Sequence, residues 1–183
     1  MSILSYVKDE IQVIRERDPA IKSNMEVFLY PSFKVILNYR IAHKLYLKKH
    51  FFWARWISQR AARKTGIEIH PGATIGKGLF IDHGSGVIIG ETTIIGDNVK
   101  IYQGVTLGAL STRGGQKLKN AKRHPTIEDN VTIYSGASIL GGETVIGRDS
   151  VIGGNAFITK SIPAGTTVSI KGQELQFKQG GKT

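Results

Sequence analysis

The sequence predicts an α+β chain in which an N-terminal α-helical segment is followed by a parallel β-helix, and three observations predict it. Apolar residues recur at three- and four-residue spacing within the first 65 positions. From Glu68 onward aliphatic residues recur every six positions instead. That repeat slips at three places, and polar residues gather at the first two, where departure from regularity is expected to mark function.

Ile3, Leu4, Val7, Ile11 and Ile14 form the stripe of an amphipathic helix over residues 3–17, which Pro19 should end. Further helical patterning runs from about Ser32 to Lys48 and from Phe51 to Lys64. Pro31 just before the first and Gly66 just after the second stand in favoured boundary positions. A segment of 65 residues buries too little surface to be dependable alone, so its apolar faces are expected to dock on the later part of the chain or on another subunit.

The six-residue anchors are Ile69, Ile75 and Ile81; Ile89, Ile95, Ile101 and Leu107; Ile127, Ile133 and Ile139; and Ile146, Ile152 and Ile158. Small or β-branched residues such as Ala73, Val87, Val99 and Ala137 sit two positions ahead of most of them. Short strands joined by tight turns and stacked coil on coil account for this period, each coil burying its anchors against the next. The first slip makes Asp82-His83-Gly84-Ser85-Gly86 kink out of the coil. The second makes residues 110–122, rich in Gly, Ser, Lys and Gln, an extruded loop. The third, near Gly141-Gly142, reads as a bulge. The expected organisation is a helical segment over 1–65, the β-helix over 66–168 and a tail over 169–183.

At 183 residues and 20.0 kDa the chain suits one domain with a small appendage, and no apolar run is long enough for a membrane span. The N-terminus shows no signal-peptide pattern, and there is no cysteine, which removes disulfides, thiolate metal sites and cysteine nucleophiles together. A cytoplasmic location is expected. The net charge of +11 is concentrated in residues 1–65, where thirteen Lys and Arg meet five Asp and Glu. Lys44, Lys48, Lys49, Arg55, Arg60, Arg63 and Lys64 interleave with apolar residues at helical spacing. That pattern fits a solvated helix face, with a surface for an anionic small molecule as the alternative; no nucleic-acid motif accompanies it.

Four local segments narrow the reading: Arg17-Asp18-Pro19-Ala20, Ile69-His70-Pro71-Gly72-Ala73, Ile81-Asp82-His83-Gly84 with Gly90-Glu91-Thr92 following, and Arg123-His124-Pro125. On these, from about Asp9 to Pro163, the sequence resembles the hexapeptide-repeat acyltransferases with a left-handed β-helix, and among them serine O-acetyltransferase in a short form. The resemblance implies acetyl transfer from acetyl-CoA to the hydroxyl of L-serine for cysteine synthesis, with acetyl-CoA as co-substrate and no metal. It makes His83 the general base and Glu68, fifteen residues upstream, the carboxylate that orients it, in place of the Asp of many longer members. Asp18 and Asp82 match the acidic residues at the ammonium and hydroxyl side of the amino acid, and Arg123 and His124 the pair on its carboxylate. Gly108, Ala109, Ser135, Gly154, Thr159 and Lys160 match positions along the acetyl-CoA groove.

These residue types suit that chemistry. An imidazole with a pKa near ~6.5 can take the hydroxyl proton at neutral pH and return it to the leaving thiolate. A zwitterion calls for carboxylates at one end and a guanidinium at the other. With no Cys and no Ser evidently paired with the base, the attack is expected to be direct.

The shorter helical region implies a homotrimer with sites between subunits, a hexamer being the alternative. The coil from Ile162 to Lys171 lacks the usual Gly-x-Pro-Ala segment, and the terminal Gly-Gly-Lys-Thr replaces the Ile through which some members engage O-acetylserine sulfhydrylase, so no stable complex of that kind is expected. Competing readings are acetylation of another hydroxyl or amine such as a sugar, a zinc hydratase using His70, His83 and His124, and a non-catalytic binding module. His43 and His50 are expected at the helix surface, and His70 as a turn residue.

Overall fold

The computed structural model describes residues 3–111, 115 and 121–172, the side chains of residues 3–5 excepted. Arg113, Lys117 and Lys119 of the extruded loop and the tail beyond Gly172 lie outside these residues. Helix α1 spans Ile3–Arg17, a single 3-10 turn spans Glu26–Leu29, α2 spans Pro31–Leu47 with Pro31 inside its first turn, and α3 spans Phe51–Thr65. Gly66 closes α3 in the left-handed conformation, where a missing Cβ removes the steric cost.

Among the described residues fourteen strands of two or three residues follow, from β1 (Glu68–Ile69) to β14 (Thr167–Val168). They stack into three parallel sheets: β1, β4 (Ile88–Ile89), β7 (Thr106–Gly108), β10 (Ser138–Leu140) and β13 (Phe157–Ile158); β2 (Thr74–Ile75), β5 (Ile94–Ile95), β8 (Thr126–Ile127) and β11 (Val145–Ile146); and β3 (Phe80–Ile81), β6 (Lys100–Ile101), β9 (Thr132–Ile133), β12 (Val151–Ile152) and β14. Every third strand pairs, so one coil is three strands, and the chain is a left-handed β-helix preceded by helices. Registers align the anchors in ladders: Ile69 faces Ile89, Ile89 faces Leu107, Leu107 faces Ile139 and Ile139 faces Ile158. All thirteen anchors are buried. The three slips fall at corners of the triangular coil, where an added residue costs no strand pairing.

Two corners matter for function. One, the His83 corner, joins the third sheet to the first and carries Asp82–Val87 between β3 (Phe80–Ile81) and β4 (Ile88–Ile89). The other, the Arg123 corner, joins the first sheet to the second and carries Gly90–Thr93 between β4 and β5 (Ile94–Ile95), and Arg123-His124 before β8 (Thr126–Ile127).

The helices close the open end of the first coil. Along the strands of each coil backbone N–H groups donate to carbonyls of the next, which leaves strand carbonyls of the first coil facing away from any coil. Side chains of α2 and α3 supply the donors there. Tyr39 donates to the Ala73 carbonyl at 2.6 Å, Ser58 to Ile69 at 3.0 Å, and the Arg40 guanidinium to both Ile75 and Gly76. His43 Nδ1 lies 2.8 Å from the Pro71 carbonyl, so this histidine, expected at the surface, is half-buried in the cap.

A second apolar cluster joins Ile14, Val27, Phe33 and Phe80, and seats α1 and the 3-10 turn on the outer face of the third sheet. Helix α3 leaves the basic Arg60, Arg63 and Lys64 exposed, and its outward face carries apolar residues as well. It buries only Ala54, Ser58 and Ala61, small enough for close approach to β1, and turns Phe52, Trp53 and Trp56 outward.

Candidate active site

Asp82 follows Ile81 at the end of β3, and His83 then takes a φ of +58°, a conformation that costs a non-glycine residue energy and recurs where function fixes it. Gly84 follows at φ +79°, and a Cβ there would stand 2.4 Å from the Ile67 side chain. The imidazole of His83 is thereby held outward and exposed. Asp18, the residue after α1, is carried to the same corner by the packing of α1 on Phe80. Asp18, Tyr30, Ser32, Ile81, Asp82 and His83 line one cavity of about 430 Å³.

The electrostatics of the two carboxylates differ. Asp18 accepts the Tyr30 hydroxyl at 2.6 Å on Oδ2 and the Ala20 N–H at 2.8 Å on Oδ1. The Tyr30 bond above all, helped by the Ala20 N–H and opposed by burial, holds its carboxyl below the usual range. Asp82 stands 4.0 Å from the Lys100 ammonium, which also lies over the Phe80 and Tyr102 rings.

At the Arg123 corner, the Arg123 guanidinium pairs with Glu91, whose other oxygen accepts the Tyr46 hydroxyl at 2.8 Å. Burial opposes ionisation of Glu91, but the Tyr46 bond and the neighbouring cations carry its pKa below the ordinary value. Thr92 ties the corner together, its hydroxyl accepting the N–H groups of Arg123 at 2.8 Å and His124 at 3.0 Å. The Thr92 N–H donates to His124 Nδ1 at 3.1 Å, which leaves the proton of the neutral ring on Nε2. Burial and the adjacent Arg123 lower the His124 pKa and so favour that neutral ring. A Cβ on Gly90 would stand 2.0 Å from the His124 ring, so glycine is required for the ring to lie across this turn.

The structure brings Asp18, Asp82 and His83 together and sets Arg123 and His124 on a different corner. Among the described residues no hydrogen bond or ion pair joins Glu68 to His83, although the Glu68 N–H donates to Val87 at the end of the His83 corner. The acetyl-CoA positions divide in the same way. Gly108 ends a strand of the first sheet, Ala109, Thr159 and Lys160 follow strands of that sheet toward the Arg123 corner, and Thr159 and Arg123 line one cavity of about 310 Å³. Ser135 and Gly154 belong to the corner that carries His83, stacked so that a Cβ on Gly154 would meet the Ser135 carbonyl at 3.2 Å.

His70 accepts the Gly72 N–H at 3.0 Å within its own turn, and burial with the nearby Arg55 lowers its pKa to about 4. Among the described residues no three His, Cys, Asp or Glu side chains cluster as a metal-ligand set. Tyr30, Tyr46, Glu91, Thr92 and Lys100 were not among the expected site residues. Glu91 and Thr92 stand in the Gly90-Glu91-Thr92 segment that helps carry the resemblance, whereas nothing local marks the two tyrosines or Lys100.

No family model matches the chain. Among curated proteins, a serine acetyltransferase of Staphylococcus aureus (strain MSSA476) is 49% identical over 89 residues, 48% of this chain and 41% of the relative. Among solved structures, Entamoeba histolytica serine acetyltransferase isoform 3 in complex with cysteine superposes with a TM-score of 0.86 at 40% identity, covering 97% of this chain and 61% of that one. Neisseria gonorrhoeae serine acetyltransferase in complex with serine gives a TM-score of 0.82 at 34% identity, covering 94% of this chain and 68% of that one.

The chain belongs to the serine acetyltransferase family. Likeness to the two structures runs through both the helical segment and the β-helix, so the helices that carry Asp18 are part of what the chain shares with them. The match to the curated relative spans less than half of that protein's length.

Proposed function

We propose that this serine acetyltransferase family member transfers the acetyl group of acetyl-CoA to the hydroxyl of L-serine, giving O-acetyl-L-serine and CoA for cysteine synthesis. One observation carries the reading beyond family membership: acid, base and guanidinium fall on two corners only, and the residues matched to acetyl-CoA divide between the same two. A single chain therefore holds half of each site on each of two corners. A closed ring in which the His83 corner of one copy faces the Arg123 corner of the next completes them, and we propose that this ring is a homotrimer.

In that arrangement Asp18 and Asp82 take the ammonium side of serine, and Arg123 with the Nε2–H of His124 takes its carboxylate. His83 removes the hydroxyl proton as the oxygen attacks the thioester carbonyl. The tetrahedral intermediate collapses, the C–S bond breaks, and the imidazolium returns the proton to the thiolate. Glu68 supports the imidazolium if it closes on His83 in the bound state. A neutral sugar acceptor would leave the charge of Asp18 without a counter-charge, a cost that favours the zwitterion.

The test is CoA thiol release by purified protein with L-serine, homoserine, threonine, a galactoside or no acceptor. Serine-dependent release is expected. Release with the galactoside and not with serine would overturn the assignment of the acceptor.

A further inference from the structure

We infer that Tyr30 is a positioning residue for the ammonium group of the acceptor, acting through Asp18; the inference rests on the acceptor being an amino acid, as proposed above. Tyr30 caps α2 in extended backbone at the end of the 3-10 turn, and its ring packs on the cluster of Ile14, Val27, Phe33 and Phe80. That packing fixes where the phenol points. Its hydroxyl donates to Asp18 Oδ2 at 2.6 Å, while the Ala20 N–H fixes Oδ1 at 2.8 Å. Each carboxylate oxygen accepts more than one hydrogen bond, so both retain acceptor capacity toward the cavity they line with His83.

The nature of the donors sets the role. Both are neutral, so they orient the carboxylate and stabilise its ionised form without neutralising it. Asp82 by contrast faces the Lys100 ammonium at 4.0 Å, and no ion pair reaches Asp18 among the described residues. Of the two acids in the cavity, Asp18 therefore keeps the charge that an incoming ammonium needs, and Tyr30 keeps that acid in place. The phenol remains a donor through the neutral range, because the bond to Asp18 first, then burial, raises its pKa to about 12. The other charged groups facing the pair are His83 and Lys100 toward Asp18, and Glu26 and Asp82 toward Tyr30.

The experiment is steady-state kinetics on full-length Tyr30→Phe, which keeps the ring and its packing. We expect KM for L-serine to rise about tenfold, the scale of one hydrogen bond to a charged group, with kcat and KM for acetyl-CoA within about twofold. In an Asp18→Asn background the same substitution should add nothing, as two residues acting through one group require. An unchanged KM for serine, a loss confined to kcat, or full additivity with Asp18→Asn would overturn the proposal. A carbon-13 titration of the aspartate carboxyls supplies a readout that needs no turnover: Tyr30→Phe should raise the Asp18 pKa, and an unmoved titration overturns the proposal. If the unmodified protein shows no serine-dependent release, the acceptor reading fails, and the titration alone still decides whether Tyr30 governs Asp18.

Discussion

His83 stands in left-handed backbone, and this separates its chemistry from its structural tolerance. Asn adopts that conformation more readily than Ala, so His83→Asn should keep a melting temperature near that of the unmodified protein. His83→Ala should lose about 1 kcal/mol of stability, measured by denaturant unfolding, and both variants should lose at least about a hundredfold in kcat. Equal stability of the two would mean that the backbone conformation carries no cost. At the other corner, Arg123→Lys removes the fork that engages Glu91 and should raise KM for L-serine by about tenfold or more while leaving KM for acetyl-CoA nearly unchanged.

The helical elements contribute donors rather than bulk. Arg40 satisfies two carbonyls of the first coil, so Arg40→Met should cost about 2–3 kcal/mol in urea unfolding, more than Ser58→Ala, which removes one neutral bond. Helix α1 carries a buried liability in Glu10, whose pKa burial raises to about 7 against the opposing charge of Arg40. A carboxyl with a folded pKa above its ordinary 4.5 contributes stability present below 4.5 and lost as the pH rises through about 7. Glu10→Gln should therefore raise the melting temperature more at pH 8 than at pH 5. An equal shift at both would place the charge of Glu10 in water.

These elements also show what the sequence makes legible. The period of six is written in single residues, because every anchor meets its copy in the adjacent coil, and so ladders such as Ile69 to Ile89 follow from spacing alone. His83 is visible because it breaks that period. The Tyr39 bond to Ala73 and the Tyr46 bond to Glu91 span 34 and 45 residues and join a helix to a coil whose periods share no frame. No local pattern encodes them, and for the same reason the capping role of His43 is hidden behind a helical spacing that suits a surface residue equally well.

At the scale of the whole molecule, the separation of the two corners means that activity should belong to the assembly and not to the chain. The outward Phe52, Trp53 and Trp56 of α3 and the exposed Phe157 on the first sheet leave apolar surface that a single copy does not cover. The most direct test is complementation. His83→Asn and Arg123→Met variants, each inactive alone, are produced together in one cell, purified as mixed assemblies and assayed for serine-dependent CoA release. Sites shared between copies in a closed ring predict recovery of about a quarter of the activity of the unmodified protein, since one interface in four then joins an intact His83 to an intact Arg123. Mixed assemblies as inactive as either variant alone would contradict the account.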